Sequence, residues 1–375
     1  MNYTVILSII NYDCDYLFPL LKEDYLMHQT KCYAALSQNS PLIHHTISRR
    51  EIGKKDVFVE IEFCGVCHTD YHYAKNDWGI TKYPFVGGHE IIGVVKKLGV
   101  DVKKFNLGDR VAVGCFVNSC RACNSCHNNL EQYCANGLVK TYNDPTLDPG
   151  GYTFGGYSKS IVVDEHFVFS VPQNLDPAGA APLLCAGITT FSPLNHWRVG
   201  QGMNVGIIGL GGLGHMAVKF ASAMGANTTV FTTSEKKTID GYRLGADNVV
   251  LSFDQSALRK KNGNFDFILD TVPIPHEVSK YMPLLKVDGT LCVVGSIGST
   301  GELNTRPLIF GRRRIAGSLV GGMKETQKML SFCGEKNITS DVEIIKIQTI
   351  NEAYDRMRKN DVKYRFVIDM RKFSN

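Results

Sequence analysis

The sequence predicts an α/β protein of two domains, one mainly β and one built on a doubly wound parallel sheet. Three observations predict it. Between Gly53 and Gly156 short β-branched runs alternate with glycine-punctuated loops, and helical periodicity is sparse. After Pro172 strand-like and helix-like segments alternate at βαβ spacing. The 375 residues suffice for two cores, at roughly 150 residues per domain.

Taken in order, residues 1–28 have no clean period and read as a poorly ordered extension, of which 1–26 are expected to be dispensable. Residues 57–62 (VFVEIE) alternate with a β-branched bias and predict a strand, as do 91–95 and 110–113. Gly150, Gly151, Gly155 and Gly156 then break the chain into turns. Residues 205–208 form a buried-strand run that enters a glycine turn and then an amphipathic helix, 215–224. Further strands are expected at 228–232, 248–251, 267–269 and 291–294, with helical segments between them. A helix at 350–359 and a strand at 364–369 close the chain.

Composition removes several classes. With 44% hydrophobic and 21% charged residues the chain is an ordinary globular mixture, not a disordered one. A net charge of +5, from 41 basic and 36 acidic residues, is too even for a nucleic-acid or membrane-surface partner. Two stretches, 177–197 and 199–218, lack Asp, Glu, Lys and Arg. The first is broken by Pro182 and Pro193 and the second holds seven glycines, so neither reads as a membrane span. The apolar run 5–10 has no basic residue before it and makes a poor signal peptide.

Of the twelve cysteines, Cys120, Cys123, Cys126 and Cys134 lie within fifteen residues as C-x2-C-x2-C-x7-C. That clustering reads as a metal site, either a closed structural zinc or an iron–sulfur cluster. A zinc module for nucleic acid would want basic residues nearby, and the segment offers only Arg121. The remaining cysteines are scattered and read mostly as small core residues.

Gly209-Leu210-Gly211-Gly212-Leu213-Gly214 follows a predicted strand and opens a predicted helix. In that setting the pattern is a dinucleotide fingerprint: a tight turn, a close approach to pyrophosphate, and a helix packed close to its strand. The next strand ends in Thr232-Thr233-Ser234-Glu235-Lys236-Lys237. Hydroxyls and lysines suit a ribose 2′-phosphate, so NADP(H) is favoured over NAD(H), with Glu235 expected to point away.

A third set is dispersed: Cys67 in CGVCHTD, His89 and Glu90 in GGHE, and Cys185 in PLLCAG. Two thiolates and an imidazole would leave a fourth zinc position open, the catalytic pattern. Spacing alone does not join them.

These residues resemble the zinc-dependent medium-chain alcohol dehydrogenase superfamily, most closely its cinnamyl-alcohol-dehydrogenase-like branch with the microbial NADP-dependent aldehyde reductases. The resemblance covers about 31–369 and rests on GVCHTD (65–70), YPFVGGHEIIG (83–93), GDRVAVGC (108–115), LEQYC (130–134) and GGYSKSIVVDE (155–165). It continues through APLLCAGITTFSPL (181–194), GLGGLGHMAVK (209–219), GGMKETQKML (321–330) and DVKYRFVID (361–369).

The resemblance implies a GroES-like catalytic domain at 29–184 plus 322–375 around a Rossmann domain at 185–321. It implies two zinc ions per chain: a catalytic one on Cys67, His89 and Cys185 with Glu90 beside it, and a structural one on Cys120, Cys123, Cys126 and Cys134. Asp70 would orient His89, and Thr69 and His72 match a proton relay. Thr189, the 209–214 turn, Thr232, Thr233, Ser234, Lys236, Lys237, Thr271, Gly295, Ser318 and Val320 match contacts to NADP(H). The implied activity interconverts primary alcohols and aldehydes, chiefly as an aldehyde reductase, in a cytoplasmic homodimer. One departure is Gly87, where the family usually has proline, and it is expected to loosen the loop carrying His89. Trp78 and Phe116 hint at apolar or aromatic aldehydes if they line the cleft, and core or rim packing explains them equally well. Two rivals are a same-fold reductase of an activated C=C or C=N bond and a non-catalytic zinc-loop protein, the latter supported only by the basic run Arg312, Arg313 and Arg314.

Overall fold

A computed structural model describes residues 28–295, 298 and 302–373. The expected N-terminal extension lies outside the described residues, apart from His28.

The fold is the α/β arrangement predicted, with a six-stranded parallel sheet, a seven-stranded sheet that is antiparallel except for one parallel pair at its edge, and two two-stranded ribbons. The chain opens with an antiparallel hairpin, β1 (His28–Ala35) and β2 (Leu42–Arg49). Next come β3 (Asp56–Val66), β4 (Ile91–Leu98) and β5 (Arg110–Val113), paired antiparallel in that order. A short pair, β6 (Phe116–Asn118) and β7 (Val139–Lys140), borders the four-cysteine loop. Strands β8 (Ser160–Asp164) and β9 (Phe169–Ser170) pair with β3 and β5.

The parallel sheet contains β10 (Asn204–Ile208), β11 (Asn227–Thr232), β12 (Asn248–Leu251), β13 (Phe265–Asp270), β14 (Leu285–Val293) and β15 (Arg314–Gly317). Its order is β12-β11-β10-β13-β14-β15, so strand order reverses at β10, where ligands of doubly wound sheets bind. Burial on both faces explains the apolar run of β10. A Cβ at Gly206 would stand 2.9 Å from the Phe231 ring and 3.1 Å from Ile268.

After β15 the chain returns to the first sheet. The helix Met323–Lys336 packs against both the helix Ala186–His196 and β9. Strand β16 (Val342–Ile345) pairs with β17 (Arg365–Asp369), and β17 runs antiparallel to the far half of β3. The longest strand, β3, is therefore held by β8 along 56–60 and by β17 along 63–66. Its buried end leads directly into Cys67.

Candidate active site and cofactor cleft

Cys67 caps the helix His68–Ala74 at the end of β3, and its backbone N–H donates to Asp70 Oδ2 at 2.8 Å. His89 and Glu90 end the loop that enters β4. Cys185 sits where the turn Ala181–Leu184 becomes the helix Ala186–His196. One ligand atom from each of Cys67, His89, Glu90 and Cys185 lies within 4.8 Å of the others. The dispersed set is thus brought together.

Asp70 organises this cluster. It is fully buried, and its Oδ1 lies 3.1 Å from His89 Nδ1 while accepting the Gly88 N–H at 3.1 Å. Tyr157 donates its hydroxyl to Asp70 Oδ2 at 2.9 Å. A carboxylate accepts only, so Nδ1 carries the proton and Nε2 keeps its lone pair for a cation. The thiol of Cys185 donating to Cys67 pulls the Cys67 thiol well below its ordinary range, against the effect of burial. Burial pushes the Glu90 carboxyl up, opposed by the Arg365 guanidinium bonded to its Oε1, and its Oε2 is buried without a partner. Two thiols, one imidazole and a spare carboxylate oxygen are the donor set of an open zinc site.

The Gly87 expectation needs correcting. Rather than loosening, the loop is stitched to residues 155–157: Gly155 N–H donates to Val86 O at 2.9 Å, Gly156 N–H to Gly88 O at 2.8 Å and Tyr157 N–H to Gly87 O at 2.9 Å. A Cβ at Gly155 would stand 2.3 Å from Gly87 O, so the two backbones approach as only glycine allows.

The sulfurs of Cys120, Cys123, Cys126 and Cys134 also lie within 4.8 Å of one another, with separations of 3.9 Å (Cys120–Cys126), 3.5 Å (Cys123–Cys126) and 4.0 Å (Cys123–Cys134). Four sulfurs about 2.3 Å from one tetrahedral zinc stand about 3.8 Å apart. A multi-iron cluster would hold its thiolates farther apart, so the geometry favours zinc. Backbone N–H groups of Ala122 and Cys123 pull the Cys120 thiol down to about 6, while burial pushes Cys126 up to about 11. The four therefore need a cation among them to ionise together.

Thr69 lies beside the first cluster, its Oγ1 3.5 Å from Cys67 Sγ. His72 sits one turn outward, its side chain 40% exposed and its Nδ1 2.7 Å from Asp77 Oδ2. The half-exposed Trp78 lies over His72, ring centroids 5.3 Å apart, and edge-on to Tyr73 at 5.1 Å. Phe116 is not at the cleft, contrary to expectation: it is buried in the core, edge-on to Phe167 at 6.2 Å.

The glycines of the 209–214 turn do three different things. Gly209 has φ +89°, open to glycine at no steric cost. A Cβ on Gly214 would stand 2.2 Å from Gly209 O, so the helix Gly214–Ala223 sits hard on the turn. A Cβ on Gly211 would meet nothing within 4 Å, which leaves the outer side free for a ligand. Opposite lies a slot of about 50 Å³ lined by Gly211, Gly212, His68, Lys237, Tyr364 and Arg365.

Two of these residues carry roles that sequence reasoning missed. Arg365 is buried, reaches Glu90 on one side and packs on Gly212 on the other. The one available signal was an arginine opening a strand with an apolar middle, RFVID. Lys237 does not extend outward from β11; its Nζ donates to Leu210 O at 2.8 Å and so belongs to the turn. Thr233, Glu235 and Lys236 are exposed, Ser234 is half-buried, and the Thr232 hydroxyl accepts the Ser234 N–H at 3.2 Å. Thr271 floors the turn, its hydroxyl donating to Ile208 O at 2.7 Å, and Gly295 lies against Val272. Thr189 is buried, Ser318 N–H donates to Val293 O at 3.2 Å, and Val320 has φ +34°. The basic run is occupied locally: Arg312 pairs with the Asp288 carboxylate, Arg313 donates to Lys286 O and Pro307 O, and Arg314 donates to Asp288 O.

Two family descriptions match the chain: "Alcohol dehydrogenase GroES-like domain" over residues 53–173 and "Zinc-binding dehydrogenase" over 212–335. NADP-dependent alcohol dehydrogenase C 1 of Mycolicibacterium smegmatis is 50% identical over 344 residues, 92% of this chain and 98% of that protein. Aldehyde reductase YahK of Escherichia coli is likewise 50% identical, over 91% of this chain and 98% of its own length. A cinnamyl alcohol dehydrogenase from Sorghum bicolor superposes with a TM-score of 0.89 at 42% identity, covering 92% of this chain and 99% of that one. The corresponding enzyme of Helicobacter pylori, solved with NADP(H), superposes at 0.84 with 39% identity, again over 92% and 99%.

Proposed function

Because the chain belongs to the zinc-dependent alcohol dehydrogenase family, in its cinnamyl-alcohol-dehydrogenase-like branch, we propose that it interconverts primary alcohols and aldehydes with NADP(H), working chiefly as an aldehyde reductase. The observation that carries this reading is the gathering of Cys67, His89, Glu90 and Cys185 into one cluster beside a slot lined by Gly211, Gly212 and Arg365.

Cys67, His89 and Cys185 would hold the catalytic zinc, with Glu90 able to approach it, and Cys120, Cys123, Cys126 and Cys134 the structural one. Bound there, zinc polarises a carbonyl as a Lewis acid, and NADPH supplies the hydride. The chain's own groups do the rest. Asp70 fixes the tautomer of His89. Arg365, Lys237 and His68 present positive or hydrogen-bonding groups along the pyrophosphate side of the slot, and the turn keeps its backbone open at Gly211. Thr233, Ser234 and Lys236 would meet the 2′-phosphate, with Thr232 ordering the bend beneath them. Thr189, Thr271, Gly295, Ser318 and Val320 shape the walls. Thr69 hands a proton to the reduced oxygen and His72, at the solvent rim, replaces it. Trp78, over His72, favours apolar or aromatic aldehydes at the mouth.

A homodimer is part of the proposal. Strand β15 is the sheet's outer edge, and Ile309, Phe310, Ile315 and Leu319 lie exposed on or near it. An unpaired edge beside apolar side chains favours pairing with a second copy. Cytoplasmic residence fits the chemistry, since thiols that bind zinc must stay reduced and the eleven cysteines of the described residues are all free. Among those residues no helix is long and apolar enough to cross a membrane.

The test is a panel of aliphatic and aromatic aldehydes assayed with NADPH and with NADH. Reduction with clear preference for NADPH supports the reading. Equal efficiency with both cofactors contradicts the 2′-phosphate assignment, and no reduction of any aldehyde contradicts the activity.

A further inference from the structure

The loop that follows β13 carries an acid–base pair, a buried Asp270 and a partly exposed His276, to which no step of the reaction assigns a role. Asp270, the last residue of β13, is 0% exposed. Its Oδ1 accepts the Val272 N–H at 3.1 Å, and its backbone carbonyl accepts the Val294 N–H at 3.0 Å. Its Oδ2 lies 3.0 Å from His276 Nε2, close enough for an ion pair although not aligned as a hydrogen bond. The other ring nitrogen, His276 Nδ1, lies 2.9 Å from Ile274 O. Residues 270–276 are thus tied back on themselves by one side-chain pair.

That loop is the floor of the glycine turn. Thr271 donates both its N–H and its hydroxyl to Ile208 O, at 3.1 Å and 2.7 Å. A Cβ on Gly209 would meet Val272 Cγ2 at 2.8 Å, and one on Gly295 would meet Val272 O at 2.3 Å. A shift of Val272 by a fraction of an ångström would therefore be felt directly by the turn.

The protonation of the pair follows from its partners. A carbonyl only accepts, so Nδ1 carries a proton on Ile274 O. A neutral ring would then leave the Nε2 lone pair 3.0 Å from an anionic carboxylate oxygen, which is repulsive. A proton on either Nε2 or Oδ2 removes that repulsion and lets the loop stay closed. We propose that Asp270 and His276 are positioning residues for NADP(H), a proton-dependent clasp that holds the 271–276 loop under the glycine turn. The inference rests on the cofactor reading above.

Other titrating groups facing the pair are few. Burial raises the Asp270 carboxyl, with His276 opposing. Tyr281, from the segment Val278–Leu284, and Cys292, on β14, are each pushed up to about 12 by burial and stay neutral through the range that matters. Glu277 follows His276 in the chain, and the Lys280 ammonium is turned away onto Ser252 O at 3.3 Å.

The variant Asp270→Asn separates this clasp from a merely structural pair. Its amide oxygen can still accept the Val272 N–H, and its amide nitrogen can donate to the His276 Nε2 lone pair with no carboxylate to repel it. The experiment titrates NADPH into the full-length, zinc-loaded protein by cofactor fluorescence across pH 6 to 10. The wild type should bind about tenfold more weakly at the alkaline end. Asp270→Asn should keep the low-pH affinity throughout. His276→Ala should bind about tenfold more weakly at all pH values, with kcat at saturating NADPH within about twofold of wild type. An Asp270→Asn curve that follows the wild-type one, a wild-type affinity that does not change with pH, or a His276→Ala protein of wild-type affinity overturns the clasp. Should His276→Ala fail to fold, the comparison of Asp270→Asn with wild type decides alone. Wild-type protein that takes up no NADPH at any pH would instead remove the cofactor reading.

Discussion

His72 and Thr69 differ in exposure in the way a proton path requires. Thr69 is half-buried against Cys67 Sγ, while His72 is 40% exposed and held by Asp77. An imidazole suits the outer position because its ordinary pKa lies near neutrality. His72→Ala should therefore lower aldehyde turnover by ~10²-fold, the usual scale of positioned acid–base catalysis, with zinc content and NADPH affinity unchanged. Steady-state kinetics over a pH series checks this, and near-normal turnover throughout would show that protons leave by another route. At this scale the sequence was legible where a residue type is scarce or its neighbours are diagnostic. Cys67, His89, Glu90 and Cys185 stand out in the sequence by type and by the motifs around them, and in the structure they meet. Lys237 was placed among the 2′-phosphate groups, but it bends back to Leu210 O, an orientation that depends on the short turn Glu235–Lys237 and leaves no trace in the string TTSEKK.

Elements were readable where burial imposes a pattern. Strands β10, β11 and β13 are buried on most positions and appear as runs rich in apolar and β-branched residues, and β12, Asn248–Leu251, has the bounds expected although only Val250 of its four residues is buried. The hairpin β1–β2 was missed because HQTKCYAA and LIHHTISR mix exposed and buried residues with no clean alternation. Two elements carry predictions. The four-cysteine loop has little core of its own, so a closed metal site supplies much of its stability. Cys123→Ser should lose one zinc and melt at lower temperature while the folded fraction keeps most of its turnover; metal analysis beside thermal melts checks it, and unchanged melting would deny the loop a structural ion. The helix Gly214–Ala223 holds His215, fully buried between Gly211 O at 3.2 Å and Ser340 Oγ at 3.0 Å, with its pKa depressed to about 3, chiefly by burial. The unfolded chain takes up this proton near the ordinary value of about 6.5, so the stability is full above that pH and falls as pH drops toward the folded value. Between pH 6.5 and pH 5 the wild type should lose about 2 kcal/mol more than His215→Asn. Denaturant unfolding at both pH values measures the difference, and parallel losses would mean the histidine is not buried neutral.

At the scale of the molecule, the antiparallel sheet places Cys67 and His89, the turn before a helix places Cys185, and the parallel sheet's reversal at β10 places the cofactor turn beside them. No spacing rule links these segments, since their adjacency exists only after β17 returns to β3 and presents Arg365 between Glu90 and Gly212. Resemblance of whole motifs could join them, and local pattern could not. The most direct test is the rate of NADPH oxidation by primary aldehydes, compared between the wild type and Cys67→Ser at matched folding and NADPH affinity. Wild-type turnover, with loss by more than about 10²-fold in the variant while the Cys120–Cys134 zinc is retained, is the predicted result. A variant that still reduces aldehydes at the wild-type rate would contradict the assignment of Cys67, His89 and Cys185 as the catalytic metal site.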